Sequence, residues 1–552
     1  MKPGRWFNDP RLKVRLSELA GAKTRLAYPE QMAKHLRLVT LLLGSAFAGY
    51  VALWISSNVF SPYPLEYREN AVLFTADLQD RGENPYALIH RPVFVNVYGI
   101  GYYWMCYPFT RLFGCNYAVL RLVSCAFVVA TCCLLVWALR GDGCSWTIAV
   151  VAAVLLFVQL GQGLSIVARP DSLGMFFFFA SLVIPYRFHF NLPSLCCNAL
   201  LSVLGFLTKQ YFILGLCLLW LYLLLFESKY KALLFGTVAG LGLLASVWAT
   251  ALVYECYFTE TFFAMLAASS RSWAHLRRVG GAFLAQNSGL ILILVAGLIH
   301  GLFRRRAEIR EVQQGNGLRW INWHQFHQPL LCLRGDLAWL GLLCNTLVMV
   351  LVLGLNPGND VLYYHQMITP FLLWICARLV DTTFRKHWLA ISLLAVNLLI
   401  LLSRAAPLPP DRSAHWRALG SLVASHTNVF VAPYLALLAH QAGKPVYDTG
   451  LTEYAFAVND PKFSSVSPSY RERNQIFLRT ILTTMRNQQF DLIIITPGIC
   501  PFFPLEELRR YYRPAGVLAA PMPFDSFVRP FPLVCLVPNR DPPQAGANGV
   551  RH

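Results

Sequence analysis

Long apolar runs separated by short polar breaks fill the chain from about residue 37 to residue 405. They fall near 37–60, 118–139, 146–163, 172–186, 194–208, 211–226, 232–253, 284–303, 336–355, 366–380 and 387–403. A helix needs about twenty apolar residues to cross ~30 Å of hydrocarbon, so these runs predict about eleven transmembrane helices, some of them short. Lys209 sits between two adjoining runs and marks a break. From residue 406 the pattern changes. Pro407, Pro409 and Pro410 end the last run, and short apolar stretches such as "NVFVA" and "FDLIIITPG" alternate with a helix-like segment at 470–487. That alternation predicts a small soluble α/β unit over 406–552, with a disordered tail from 539. No glycine fingerprint or phosphate-binding loop occurs in it.

Composition agrees with a membrane domain over 1–405. Of 552 residues 56% are hydrophobic and 14% charged, against roughly 25% charged in soluble chains. Basic residues set the expected orientation. Residues 1–37 carry nine Lys and Arg, and 304–334 carry six Arg, beginning with Arg304, Arg305 and Arg306. Such clusters stay on the cytoplasmic side. An odd number of spans then puts the first loop and the C-terminal region outside the cytoplasm, consistent with a bacterial plasma (inner) membrane protein. Much of the net charge of +19 lies in those two segments, where it suits anionic lipid headgroups and does not argue for nucleic acid. Cysteines such as Cys132, Cys133, Cys196 and Cys197 lie in apolar runs and show no metal-ligand spacing.

The first loop opens with "PLEYRENAVLFTADLQDRGENPY" (64–86), which sets Glu66 and Glu69 one turn apart beside Arg68. The same expected face collects Arg169 and Asp171 in "VARPDSLG", Lys209 in "FLTKQYF", Arg271, Arg277 and Arg278, and His365 in "GNDVLYYHQMITPFL". Ionisable groups are costly near a bilayer, so each is a candidate for function. Each also has a plain structural reading. Glu66 and Glu69 would pair with Arg68 or Arg91 on a helix surface, "ARPD" would tie two spans, and Lys209 would snorkel. Together, carboxylates and cations suit transfer from a phosphate-activated donor: an acid takes a proton from an acceptor hydroxyl while cations hold the leaving phosphate. The aromatic stretch 97–113 predicts an interfacial helix interrupted at Pro108, suited to bordering a lipid-accessible groove.

In order and placement, "LEYRE", "GENPY", "YGIGYYW…RLFG", "ARPD", "FLTKQ" and "GNDVLYYHQMITPFL" resemble the GT-C superfamily of membrane glycosyltransferases. The nearest branches are those of the lipid A aminoarabinose transferase and the protein O-mannosyltransferases (glycosyltransferase family 39-like). The resemblance covers about 37–405, and a soluble C-terminal domain is in keeping with it. It implies transfer of a hexosyl or pentosyl group from a polyprenyl-phosphate carrier to a lipid, glycan or protein acceptor. It also implies an acidic base early in the first outer loop, often in an Asp-Glu pair. Here that place holds Arg68-Glu69, with Glu66 just before, so the base is Glu69 or Glu66. By the same resemblance Asp171 assists, while Lys209 with Arg271, Arg277 or Arg278 meets the donor phosphate; Arg68, Arg169 and His365 belong with these phosphate-side candidates. No metal ligand set is expected, although some relatives use a divalent cation. Two other readings stay open: an oligosaccharide ligase or polymerase, and a transporter or flippase of a lipid-linked sugar.

Overall fold

The computed structural model describes residues 10–161, 164–315, 336–384, 388–405, 412–463, 466–496, 502–518 and 533–539. The basic segment 304–334 and the tail from 540 therefore lie wholly or largely outside the described residues. The chain is mostly helical: α1 (Pro10–Val59), α2 (Glu69–Asp80), α3 (Ile100–Phe113), α4 (Tyr117–Gly141), α5 (Trp146–Gly161), α6 (Asp171–Arg187), α7 (Leu192–Thr208), α8 (Leu214–Tyr222), α9 (Lys229–Val253), α10 (Trp273–Gln286), α11 (Ser288–Gly315), α12 (Leu337–Leu351), α13 (Val361–Met367), α14 (Thr369–Asp381) and α15 (Trp388–Ser403). Over the described residues, each apolar run of the sequence is mainly helical. Among the described residues five helices are long and apolar enough to cross a membrane: Gln31–Val59, Tyr117–Gly141, Gln210–Glu227, Lys229–Val253 and Leu337–Leu355. Helices Trp273–Gln286 and Ser288–Phe303 meet at 79°, and Trp146–Gly161, Leu192–Thr208 and Trp388–Ser403 are shorter apolar helices. Polar caps start several of them. Asn116, Asn191, Ser228, Ser272 and Asp360 each accept a backbone N–H of the first turn, satisfying donors the helix itself leaves open. On α9, Leu233, Leu241, Leu244, Trp248 and Leu252 are all exposed, a surface at home only in lipid.

Two differences from the sequence reading concern the first loop. Helix α3 runs unbroken through Pro108. Helix α2 is buried over most of its length, packed on α3 and α4 through Val72, Leu73 and Ala76 and touched by the C-terminal region: Asn70 Nδ2 donates to the Pro433 carbonyl at 2.7 Å, and the Phe74 ring meets His440 edge-on. Beyond residue 412, α16 (Ser413–Ala424), α17 (Thr452–Ala457) and α18 (Pro468–Arg486) accompany a four-stranded sheet of β1 (Val429–Val431), β2 (Leu492–Ile495), β3 (Tyr512–Leu518) and β4 (Leu533–Pro538). The order is β1-β2-β4-β3, with β1 and β2 parallel and the other pairs antiparallel. The C-terminal region is not a detached unit. Leu451, Ala455, Val458 and Tyr470 share one core with Ala71, Val95, Tyr102 and Tyr257.

Candidate functional site

Helix α7 ends at Thr208, and Lys209 adopts an extended backbone before the chain turns into α8. That break, at the end of an apolar helix, carries the Lys209 ammonium into a buried cluster. Its Nζ donates to Asp171 Oδ1 at 2.7 Å and to the Tyr363 hydroxyl at 2.8 Å, and lies over the rings of Tyr98, Tyr211 and Tyr363. Asp171 is the first residue of α6 and also pairs with Arg169, whose Nε is 3.1 Å from Oδ2. "ARPD" and "FLTKQ" are thus brought together. The hydrogen bonding is incomplete. Among the described residues Asp171 Oδ2, Ser172 Oγ and Arg169 Nε and Nη2 are buried without a hydrogen-bond partner, and buried polar groups are normally satisfied.

The two glutamates of the first loop part company. They span one turn, Glu69 N–H to Glu66 O at 3.1 Å, that leads into α2. Glu69 is fully buried. It receives Arg121 Nε at 2.9 Å and Nη2 at 2.7 Å, and the backbone N–H groups of Leu65 and Ala168, each at 2.6 Å. Its four acceptor sites are filled. Arg121, in the first turns of α4, also donates to the carbonyls of Asn58, Val59, Ser61 and Tyr63. Glu66 is also buried, but among the described residues it accepts only the Arg68 N–H, through Oε2 at 3.1 Å; Oε1 has Arg68 Nε at 3.6 Å and no hydrogen bond. Burial pushes its carboxyl above the usual carboxylate range, an effect that Arg68 and Arg169 partly offset.

Beside this cluster opens a cleft of ≈ 630 Å³, counted out to solvent. Arg68, Tyr98, Lys209, Ser270, Asn359 and Tyr363 line it, with Tyr454 of α17. Among the described residues its lining holds two cations and no carboxylate.

The remaining sequence candidates lie elsewhere. Arg271, Arg277 and Arg278 are exposed. Arg271 follows the cleft-lining Ser270, whereas Arg278 Nη2 donates to His275 Nδ1 at 3.1 Å, and His275 Nε2 in turn meets the Asn359 carbonyl at 2.6 Å. His365 is packed against Phe283 and hydrogen-bonds Gln286 Oε1 at 2.8 Å and Thr369 Oγ1 at 3.2 Å. Arg91 pairs with neither Glu66 nor Glu69. It forms a buried ion pair with Glu260, which also accepts the Asn96 N–H at 3.0 Å. Sequence reasoning passed over Arg121, Glu260, Tyr98, Tyr363 and Tyr454; an arginine inside an apolar run was a usable signal for the first of these. Among the described residues no three His, Cys, Asp or Glu side chains gather to hold a metal. Asp171 and Glu69 are already occupied by cations. Among the described residues a divalent cation does not fit this donor set.

No protein-family model and no curated protein matches the chain. Among solved structures, ArnT from Cupriavidus metallidurans bound to undecaprenyl phosphate aligns with 90% of this chain and 97% of its own, at TM-score 0.51 and 12% identity. The apo oligosaccharyltransferase of Archaeoglobus fulgidus aligns with 84% of this chain and 69% of its own, at TM-score 0.49 and 10% identity. At such identity the likeness to ArnT speaks for the fold. The chain has a fold similar to that of ArnT.

Proposed function

We propose that this chain is a glycosyltransferase that moves a sugar from a polyprenyl-phosphate carrier to a hydroxyl of an extracytoplasmic acceptor, with Glu66 as general base. One observation carries the reading: a buried carboxylate oxygen, Glu66 Oε1, that has no hydrogen bond among the described residues and pairs at 3.6 Å with Arg68, itself part of the cleft lining together with Lys209. The undecaprenyl phosphate bound to ArnT supports the carrier class. About eleven spans, with the N-terminus in the cytoplasm of a bacterial inner membrane, would place the cleft on the outer side.

In this mechanism Glu66 Oε1 takes the proton of the acceptor hydroxyl as its oxygen attacks the anomeric carbon. The bond from that carbon to the phosphate oxygen breaks, and polyprenyl phosphate leaves with the electron pair. Lys209 and Arg169 offset the charge on the leaving oxygen. Asp171 holds both cations in place, and Glu69 with Arg121 fixes the loop that carries the base. The test incubates purified protein in detergent with labelled polyprenyl-phosphate sugar. Release of polyprenyl phosphate supports the reading; redistribution across liposomes without bond cleavage replaces it with the flippase.

A further inference from the structure

Three of the contacts between the C-terminal region and the first loop bracket Glu66. Trp416 of α16 stacks on Tyr63, with ring centroids 4.8 Å apart and planes 4° from parallel. The Pro433 carbonyl receives Asn70. Between them Gly450 lies against Tyr67. A Cβ on Gly450 would come within 2.6 Å of the Tyr67 carbonyl oxygen, and its φ of +108° suits only glycine. The segment around it is anchored. Gly450 N–H donates to Asp448 Oδ1 at 2.8 Å, and Thr449 and Thr452 both donate to the Val93 carbonyl, at 2.8 and 3.4 Å. Two residues beyond Thr452, Tyr454 forms part of the cleft wall together with Arg68.

We infer that the Asp448–Tyr454 segment is a working part of the reaction site, with Gly450 a positioning residue that holds the Glu66-Tyr67-Arg68 turn in register with the cleft. Tyr67 is the direct neighbour of both Glu66 and Arg68, so a shift of its backbone moves the carboxylate and the guanidinium together. The segment comes from the part of the chain beyond the last apolar helix, whereas Lys209 and Asp171 come from ends of membrane helices. The base is therefore clamped between the two halves of the molecule. This inference rests on the proposed role of Glu66.

The test uses the full chain in detergent and reads kcat, donor KM and the pH profile of polyprenyl phosphate release. Gly450→Ala is compared with Gly443→Ala, which has φ +67° and nothing within 4 Å of a new Cβ. A displacement of about 1 Å is enough to cost on the order of tenfold to a hundredfold. The expected result is a loss of that size in kcat for Gly450→Ala, with donor KM near wild type and the acid limb of the pH profile moved. Gly443→Ala should stay near wild type. Equal kcat and an unmoved limb in the two variants overturn the inference. Thr449→Val, which loses one anchor without a clash, carries the same test if Gly450→Ala fails to fold: it should lower kcat in the same direction, and an unchanged kcat and limb overturn the inference. Turnover retained by Glu66→Gln would instead refute the base assignment itself.

Discussion

Replacing each first-loop glutamate by glutamine should separate a catalytic carboxylate from a structural one. In Glu69→Gln the amide nitrogen must face at least one of the donors now satisfied: Arg121 Nε or Nη2, or the Leu65 or Ala168 N–H. Arg121 also loses its only carboxylate partner among the described residues. Breaking a fully buried ion pair from one side typically costs about 3–5 kcal/mol. The variant should show a marked fall in detergent thermal stability and poor recovery. In Glu66→Gln the Arg68 N–H can still be accepted by the amide oxygen, and only the looser 3.6 Å pairing with Arg68 Nε is lost, so stability should fall much less than in Glu69→Gln. Its turnover should drop by roughly 10²–10⁴, the contribution of a positioned base. The assay pairs release of polyprenyl phosphate from a labelled donor with a melting curve on the same preparation. A stable Glu69→Gln that has lost turnover, next to an active Glu66→Gln, would refute the assignment and return the base to Glu69.

Lys209→Met should weaken donor binding by about 1.5–3 kcal/mol, read as a rise in donor KM or in the dissociation constant for polyprenyl phosphate; an unchanged value would return Lys209 to a structural ion pair. Arg278→Ala, on an exposed residue that donates to His275, should leave donor affinity within about twofold by the same titration. Because burial raises the Glu66 carboxyl and a base must be ionised, kcat should fall as pH drops through that raised value, and a flat acid limb would contradict the role. Burial also pushes Asp448 up from 3.8 to about 6. A raised acid lends stability below its ordinary value and loses it as pH climbs to the folded one, so the melting temperature of wild type should fall relative to Asp448→Asn between pH 4 and 6.

Much of this site was readable in the sequence because its parts occur in order at the ends of apolar runs. "ARPD" and "FLTKQ" do converge, and Lys209 does mark a break. Partners distant along the chain were not readable. Glu69 meets Arg121 at a separation of 52 residues, and Arg91 meets Glu260 at 169; no local spacing encodes either pairing. Local geometry misled in one case. Tyr363 and His365 sit two apart on α13, about 200° around the helix, so when Tyr363 reaches Lys209, His365 is turned toward Gln286. The C-terminal contribution was hidden too, since Gly450 and Tyr454 carry no charge pattern, and their value lies in contact with Tyr67 and the cleft.

The reach of Arg121 also has a consequence for the order of assembly. It donates to the carbonyls of Asn58 and Val59, the end of α1, and to those of Ser61 and Tyr63 just after it, groups a helix leaves without donors of its own. A nascent chain places α1 and the first loop at the membrane before α4 has been synthesised. Until α4 arrives, those carbonyls and the Glu69 carboxylate lack their guanidinium, and the turn bearing Glu66 has only its own local hydrogen bonds to hold it. The loop that comes early in translation is therefore a late element in assembly, and a ribosome-released fragment ending before residue 121 would carry both glutamates without forming the site they serve.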